Sequence, residues 1–403
     1  MNRKFKFSIV AAILLIAGGL AVVLLATDWG RGPVFRTQSA PPNSPAKSAP
    51  YVVNMSPMGD VRFEHVPRRV VTQDANYNDM LVAVQQEEKI IANGFTGQSF
   101  DGFYRQLPGV SVALDPQRLK YLSTGGGMYD KEVLYALHAD VHHIDPLQLA
   151  RSRGWSKADV DEIARNVGPF FANRFSRENS YPGTEPYQYY TVLELAEKVA
   201  QVYQHPQRIA ALKQIYDKLV ADITARLPVL EKRPKVGLVV YNNGNFLPFS
   251  ISGHGGFGQA QYRDVGAQDA FASIKATTYG DAGRGTSLDL EGLLALNPDV
   301  LIVPWAILPN NRPGYEQLLK LKNDSLAQRL TAFRTGRVYP GGTPLQGPIF
   351  YLFQIEMAAK QIYPEMFGTY RDDQQYPPQE QLFDRKRVAE ILTGNAEENR
   401  ATR

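Results

Sequence analysis

The chain has 403 residues, 44% hydrophobic and 21% charged, a globular composition that excludes wholesale disorder, collagen-like repeats and coiled coil. Formal charge is +4, but Arg3, Lys4 and Lys6 precede the first acid at Asp28, so the remainder is nearly neutral, which argues against nucleic-acid binding. No cysteine is present, which removes disulfide scaffolds, Cys-based metal centres, thiol nucleophiles and a lipidated N-terminal Cys.

In chain order, residues 9–26 (IVAAILLIAGGLAVVLLA) form an uncharged apolar run long enough to cross a bilayer as a helix. Basic residues before it and Asp28 after it put the N-terminus inside and the rest outside. A membrane anchor and a cleaved export signal are both open; Leu24 suits the −3 position of a cleavage after Ala26 poorly. Residues 39–50 (SAPPNSPAKSAP) have no apolar surface to bury and predict an extended linker. The N-terminal divisions are 1–27, anchor or signal, and 28–50, a disordered linker, with folding from Tyr51.

An internal repeat organises the region beyond Tyr51. Tyr129 to Ile144 (YDKEVLYALHADVHHI) aligns without gaps on Leu288 to Val303 (LDLEGLLALNPDVLIV), with identity at seven of 16 positions. Each copy reads as an acidic first turn, a short apolar helix, Asp and an apolar strand, and acids at a helix start suit its positive dipole end. RRVVT (Arg68 to Thr72) and KVGLVVY (Lys235 to Tyr241) read as the first buried strand of each of two lobes. Between them Pro206 opens and Pro228 ends a long helix, with Ile209, Leu212, Ile215, Leu219, Ile223 and Leu227 on one face. The predicted architecture is α/β: two Rossmann-like lobes, 51–205 and 229–367, joined by one long helix at 206–228, with a ligand cleft between the lobes and an extension at 368–403 whose LFDRKRVAEIL reads as a short helix.

This order of elements resembles the helix-linked (class III) substrate-binding proteins of ABC importers, which deliver ferric siderophores, haem and cobalamin. The resemblance rests on PRRVVTQDANYNDMLVAV, the two repeat copies, HPQRIAALKQIYDKLV, LDLEGLLALNPDVLIVPW and GRVYPGG with its following helix and IYPEMF, and covers most of 67–367. Residues 145–187 are longer than the family's usual segment, and Ala139 stands where a proline of the PD pair is expected. The resemblance implies extracytoplasmic capture of a metal chelate, a ferric siderophore first, with haem or cobalamin as alternatives. It implies no catalysis and no cofactor, partnership with an ABC permease and its ATPase, a monomer, and attachment to the membrane through the N-terminal segment.

By fold position, Asn76 and Tyr77 after the first strand, Phe95 and Phe103 after the second, and Trp305 after the strand of the second repeat are candidate ligand contacts. GHGGFG (Gly253 to Gly258) satisfies GxGxxG, with Asp281 downstream, which raises the rival reading of an exported nucleotide-dependent enzyme. The loop lies about a dozen residues past its strand, too far for that fingerprint, so His254 is read instead as a cleft contact. His138, His142 and His143 cluster, but His142 and His143 alternate on a strand and point to opposite faces, so no metal site is assigned and His143 is the one read toward the cleft. Five tyrosines (Tyr181, Tyr187, Tyr189, Tyr190, Tyr203) suit stacking or plain packing. Glu132 and Glu291, equivalent in the two copies, are read through the resemblance as permease-docking residues.

Overall fold

The computed structural model describes residues 49–95, 100–112, 114, 118–122, 129–251, 253–274, 276 and 286–394. The apolar run 9–26, most of the linker and Asp281 lie outside them, and among the described residues no helix is long and apolar enough to cross a membrane.

An antiparallel hairpin, β1 (Tyr51–Met55) and β2 (Gly59–Phe63), turns Val53, Met55, Val61 and Phe63 inward at alternate positions. Strand β3 (Val70–Thr72) feeds helix α1 (Ala75–Ala83), whose N-cap Asp74 accepts from the amide of Asn76. With β4 (Ile90–Asn93), β5 (Lys120–Tyr121) and β6 (Val141–His143) it forms an all-parallel sheet ordered β5-β4-β3-β6. Helix α2 (Lys131–Leu137) leads into β6 and α3 (Pro146–Ala150) leaves it. Both β3 and β6 are buried throughout, as helices on either face require.

Helix α4 (Val192–Val202) starts at a Thr191–Glu194 capping box and hands over to α5 (Pro206–Thr224). The second sheet contains β7 (Lys235–Asn242), β8 (Asn245–Phe249), β9 (Gln268–Asp269), β10 (Val300–Val303) and β11 (Val338–Pro340). Its order is β11-β10-β7-β8; β7 runs parallel to β10 and β9 and antiparallel to β8. Helix α6 (Ala260–Asp264) follows the glycine-rich loop, α7 (Leu290–Leu296) precedes β10, α8 (Phe350–Ile362) follows β11, and α9 (Arg385–Thr393) lies in the extension.

The repeat is visible as shared local chemistry. Asp130 and Asp289 are the N-caps of α2 and α7, and His138 and Asn297 end those helices in the left-handed region at φ 45° and 42°. Asp140 then accepts from the amides of Arg68 and Arg69, and Asp299 from that of Lys235, so in each lobe this aspartate ties the unit to the start of the lobe's first long strand. The helix between the lobes stops at Thr224, short of Pro228; its 19 residues span ~28 Å at ~1.5 Å each.

The lobes share one hydrophobic cluster that runs from Val53 through Met80, Leu212 and Ile302 to Phe350 and Leu392. Helices α1 and α8 are buried along their whole length at its centre. Each fully buried large side chain there contributes ~1.5–3 kcal/mol, so this junction holds the lobes together. The extension is part of the same body: buried Arg385 pairs with Glu356 at 2.6 Å and donates to Gln106 at 2.6 Å, while Lys360 Nζ donates to the carbonyls of Phe367 and Glu380.

Candidate functional site

The loops leaving β3, β4, β6, β10 and β11 meet at one cleft of about 480 Å³. All five of these strands run parallel to a neighbour with their C-terminal ends toward it, which is where open α/β sheets receive ligands. Gln73 and Asp74 come from the β3 loop, Phe95 from the β4 loop, Trp305 and Leu308 from the β10 loop, and Pro344 and Leu345 from the β11 loop.

Trp305 sits in the left-handed region, with φ 62°. A bulky side chain pays ~1–3 kcal/mol there, and such residues persist where the surroundings over-determine them. Here the Trp305 amide donates to the Gly342 carbonyl at 2.7 Å, and the indole meets Phe249 edge-on at 5.3 Å between centroids. The conformation brings the half-buried indole to the cleft wall.

Residues 145–187 supply the cleft's cations. Arg177 Nη2 donates to Asp74 Oδ2 at 2.5 Å and to Asn76 Oδ1 at 2.9 Å, and Arg174 pairs with Glu178. Both arginines and both acids line the cleft or its floor. Arg177 Nε and Glu178 Oε1 are buried without a hydrogen-bond partner, so each keeps hydrogen-bonding capacity unused. The segment is fixed from behind by Asp145, whose carboxylate accepts from the amides of Leu147 (2.9 Å), Gln148 (3.1 Å) and Arg174 (2.8 Å) and from Tyr187 Oη (2.5 Å). Burial pushes the Asp145 carboxyl up, against the pull of those donors.

Of the residues expected at the cleft, Phe95 and Trp305 line it. Asn76 is buried behind it: its Nδ2 donates to the Gln346 carbonyl at 2.8 Å and its Oδ1 accepts from Arg177, so it orients a cleft residue and links the lobes. The expectation that Tyr77, Phe103 and His143 face ligand is corrected. Tyr77 stacks on His143 at 5.5 Å and its Oη accepts from the Asn173 amide; both residues are buried. His143 Nδ1 bonds the Phe171 carbonyl at 2.7 Å, which leaves Nε2 to accept from Tyr203 Oη at 2.8 Å. Phe103 packs on Phe350 and Phe353 in the shared core. The physical reason is common to all three: the space behind the first sheet is filled by α1, α4 and α8, and aromatic side chains on these turns fill it.

The glycine-rich loop is corrected as well. Gly256 lies so close to the backbone of Arg177 and Glu178 that a Cβ there would collide with the Arg177 carbonyl oxygen. Arg263 caps the loop by donating to the carbonyls of Ile251 (3.0 Å), Gly255 (3.2 Å) and Gly256 (2.5 Å). The glycines thus seat the second lobe on residues 177–179, and His254 is exposed on the loop and is not among the residues that line the cleft. His142 and His143 do point to opposite faces, His142 stacking on Phe170 at 4.9 Å; among the described residues no three metal-ligating groups converge. The clustered tyrosines pack: Tyr203 against His143, Tyr181 against Tyr187, and Tyr189 and Tyr190 along a separate groove. Glu132 and Glu291 are exposed in the first turns of α2 and α7.

Residues 159–343 match the family model described as periplasmic binding protein. The fold is shared with solved structures at low identity. A periplasmic binding protein from Veillonella parvula is 15% identical over 79% of this chain and 92% of its own, with a TM-score of 0.55. The iron-uptake ABC transporter substrate-binding protein PiuA from Streptococcus pneumoniae is 14% identical over 77% and 97%, with a TM-score of 0.53. The petrobactin-binding protein YclQ from Bacillus subtilis is 16% identical over 78% and 99%, with a TM-score of 0.53. No curated protein matches the chain.

Proposed function

We propose that the chain, a periplasmic binding protein by its family match and its fold, captures a ferric siderophore in the interlobe cleft and delivers it to an ABC importer. The observation that carries this reading is the composition of the cleft wall. Phe95 and Trp305 stand on opposite lobes, and Arg174 and Arg177 enter from the side. A large chelate with flat faces and anionic edges finds stacking surfaces on the first pair and charge-assisted hydrogen bonds on the second. Asp74, Asn76 and Glu178 hold the two guanidiniums in place, so the recognition geometry is formed in advance and little ordering cost remains at binding. PiuA is an iron-uptake substrate-binding protein and YclQ binds petrobactin, which supports an iron(III) chelate as the cargo.

Capture and delivery make and break no covalent bond, so the reading assigns no catalytic residue and no cofactor. It places the folded part outside the cytoplasm, with residues 9–26 as an anchor or export signal. Glu132 and Glu291, exposed at equivalent places in the two lobes, are the groups we assign to the permease contact.

Titration of the purified chain with ferric catecholate, hydroxamate and carboxylate chelates, with haem and cyanocobalamin as comparators, tests the cargo through tryptophan fluorescence. Saturable quenching by a ferric chelate that weakens in Trp305→Leu and in Arg174→Ala supports the reading. A Soret band with haem and no response to ferric chelates reassigns the cargo, and binding of none of them overturns the function.

A further inference from the structure

A second cavity, of about 560 Å³, lies apart from the cleft and shares none of its lining residues. Its walls are the start of α4 with Tyr189 and Tyr190, one face of α5 (Ile209, Ala210, Tyr216), Phe257 and α6 of the second lobe, and Tyr351 of α8. The walls are mostly apolar and aromatic, and Asp264 is among the acids that line them. Two hydroxyls, Tyr216 Oη at 2.9 Å and Tyr351 Oη, donate to the same Asp264 oxygen, Oδ2, and the two rings are stacked at 5.5 Å.

No cation bonds this carboxylate directly, although the positive charge of Arg263 attracts it through space. Arg263, next in sequence, gives its guanidinium to the carbonyls of Ile251, Gly255 and Gly256. Lys213, on the rim, is held by both oxygens of Asp217 at 2.8 and 2.7 Å. The other charged lining groups are Glu194 and Glu197, three residues apart on α4, and they add negative potential. Burial pushes the Asp264 carboxyl up, against the two tyrosine hydroxyls and the charge of Arg263, which pull it down.

We infer that this groove is a second ligand site, which takes a protonated organic amine with its ammonium at Asp264 and its apolar body against Tyr216, Phe257 and Ile209. An ammonium group supplies a counter-charge in direct contact, gains hydrogen bonds to a carboxylate whose tyrosine partners occupy one oxygen, and meets aromatic faces that favour cations. An anion meets three carboxylates, against Lys213, already held by Asp217, and Arg263, whose donors are taken by backbone carbonyls. A bare calcium or magnesium ion at Asp264 meets one carboxylate and two tyrosine hydroxyls where it needs six or more oxygens.

The site goes beyond chelate capture and is tested separately from it, on the full chain, by calorimetric titration with phenethylammonium and with its neutral counterpart 2-phenylethanol at pH 7. The expected result is saturable binding of the amine only, weakened about ten-fold or more by Asp264→Asn, since a carboxylate–ammonium contact is roughly twice as strong as a neutral one. Ala210→Trp, which fills the groove from the exposed side of α5 and leaves Asp264 untouched, abolishes amine binding and leaves the fluorescence response to ferric chelates unchanged. Equal binding of the alcohol, undiminished binding in Ala210→Trp, or no amine binding up to about 10 mM, the limit of useful affinity, overturns the second site. None of these outcomes bears on the cleft, whose chelate response is read on its own.

Discussion

Asp79 of the first lobe caps a helix of the second: its Oδ2 accepts from the amide of Phe350 at 3.1 Å and from that of Ile349 at 2.8 Å, at the start of α8. Tyr104 Oη donates to the other oxygen at 2.6 Å. A buried carboxylate at a helix N-terminus satisfies amides that have no partner inside the helix and opposes the helix dipole favourably. Burial nevertheless pushes the Asp79 pKa up to about 6. Asp79→Ala leaves two amides and a hydroxyl buried without acceptors and is expected to lower unfolding stability by ~2–4 kcal/mol, read by urea denaturation at pH 7. The sign of the titration follows from the raised pKa: between about pH 4 and 6 the folded chain keeps a proton that the unfolded chain releases, so this group's contribution falls as pH rises through that window. Asp79→Asn removes that slope, and an unchanged slope counts against the assignment.

The buried histidines pull the other way. Burial lowers both His142 and His143 to about 4, against backbone acceptors at Gly168 and Phe171 that pull upward. Below the ordinary histidine range near pH 6.5 the unfolded chain takes up protons that the folded chain refuses, so stability falls as pH drops from about 6.5 toward 4, by roughly 3 kcal/mol for each group. His142 Nε2 is buried with no partner, so a proton there has nothing to bond. His142→Phe keeps the stack on Phe170, gives up one bond to Gly168, and is expected to flatten the melting temperature between pH 6.5 and 4.5. A slope identical to that of the wild type removes His142 from the account.

Local chemistry is the part of this fold that is legible in the sequence. The acidic first turn, the short helix and the apolar strand of each repeat copy are where the pattern puts them, and the structure adds the aspartate caps and the left-handed helix ends at His138 and Asn297. Fold position likewise puts Phe95 and Trp305 on loops that line the cleft. It gives the loop but not the direction of the side chain, and so Tyr77, Phe103 and His143 read as outward-facing although Tyr77 and His143 stack on each other inside the first lobe and Phe103 packs on α8. Arg174 and Arg177 escape sequence reasoning because the path of residues 145–187 is set by contacts distant in sequence: Asp145 to Arg174, and Asn173 to Tyr77 and Ser56. Two arginines one helical turn apart in RFSRE are the only local signal, and they look like a solvated face.

The seam between Gly256 and residues 177–178 gives a direct handle on that segment. Gly256 has φ −66°, which any residue adopts, so Gly256→Ala is not strained in its own backbone. Its cost is the collision of Cβ with the Arg177 and Glu178 backbone. Relief requires the segment to move, and with it the guanidinium held by Asp74 and Asn76. The expected outcome is a loss of ~1–3 kcal/mol in stability together with weakened chelate binding. Gly253→Ala serves as the comparison, since Gly253 has φ 45° and strains the loop itself. Intact chelate affinity in Gly256→Ala indicates that the arginines do not depend on this seam.

Glu132 and Glu291 admit a plain reading, an acid in the first turn of a helix, worth ~0.3–1 kcal/mol to its own helix and nothing more. The structure separates this from a second role, because the N-cap work in each copy is done by the neighbouring aspartate: Asp130 accepts from the amides of Glu132 and Val133, and Asp289 from that of Gly292. With the caps accounted for, both glutamates remain exposed, one on each lobe of a body whose lobes share a core. Two such carboxylates suit a two-fold permease bearing cations at the same spacing, where each pair contributes only ~0.2–1 kcal/mol but together they set orientation. Glu132→Ala with Glu291→Ala is therefore expected to leave the denaturation midpoint and chelate affinity nearly unchanged and to abolish cargo uptake by cells. Uptake at the wild-type rate, at equal surface abundance, eliminates the docking role and leaves the glutamates as helix-start acids.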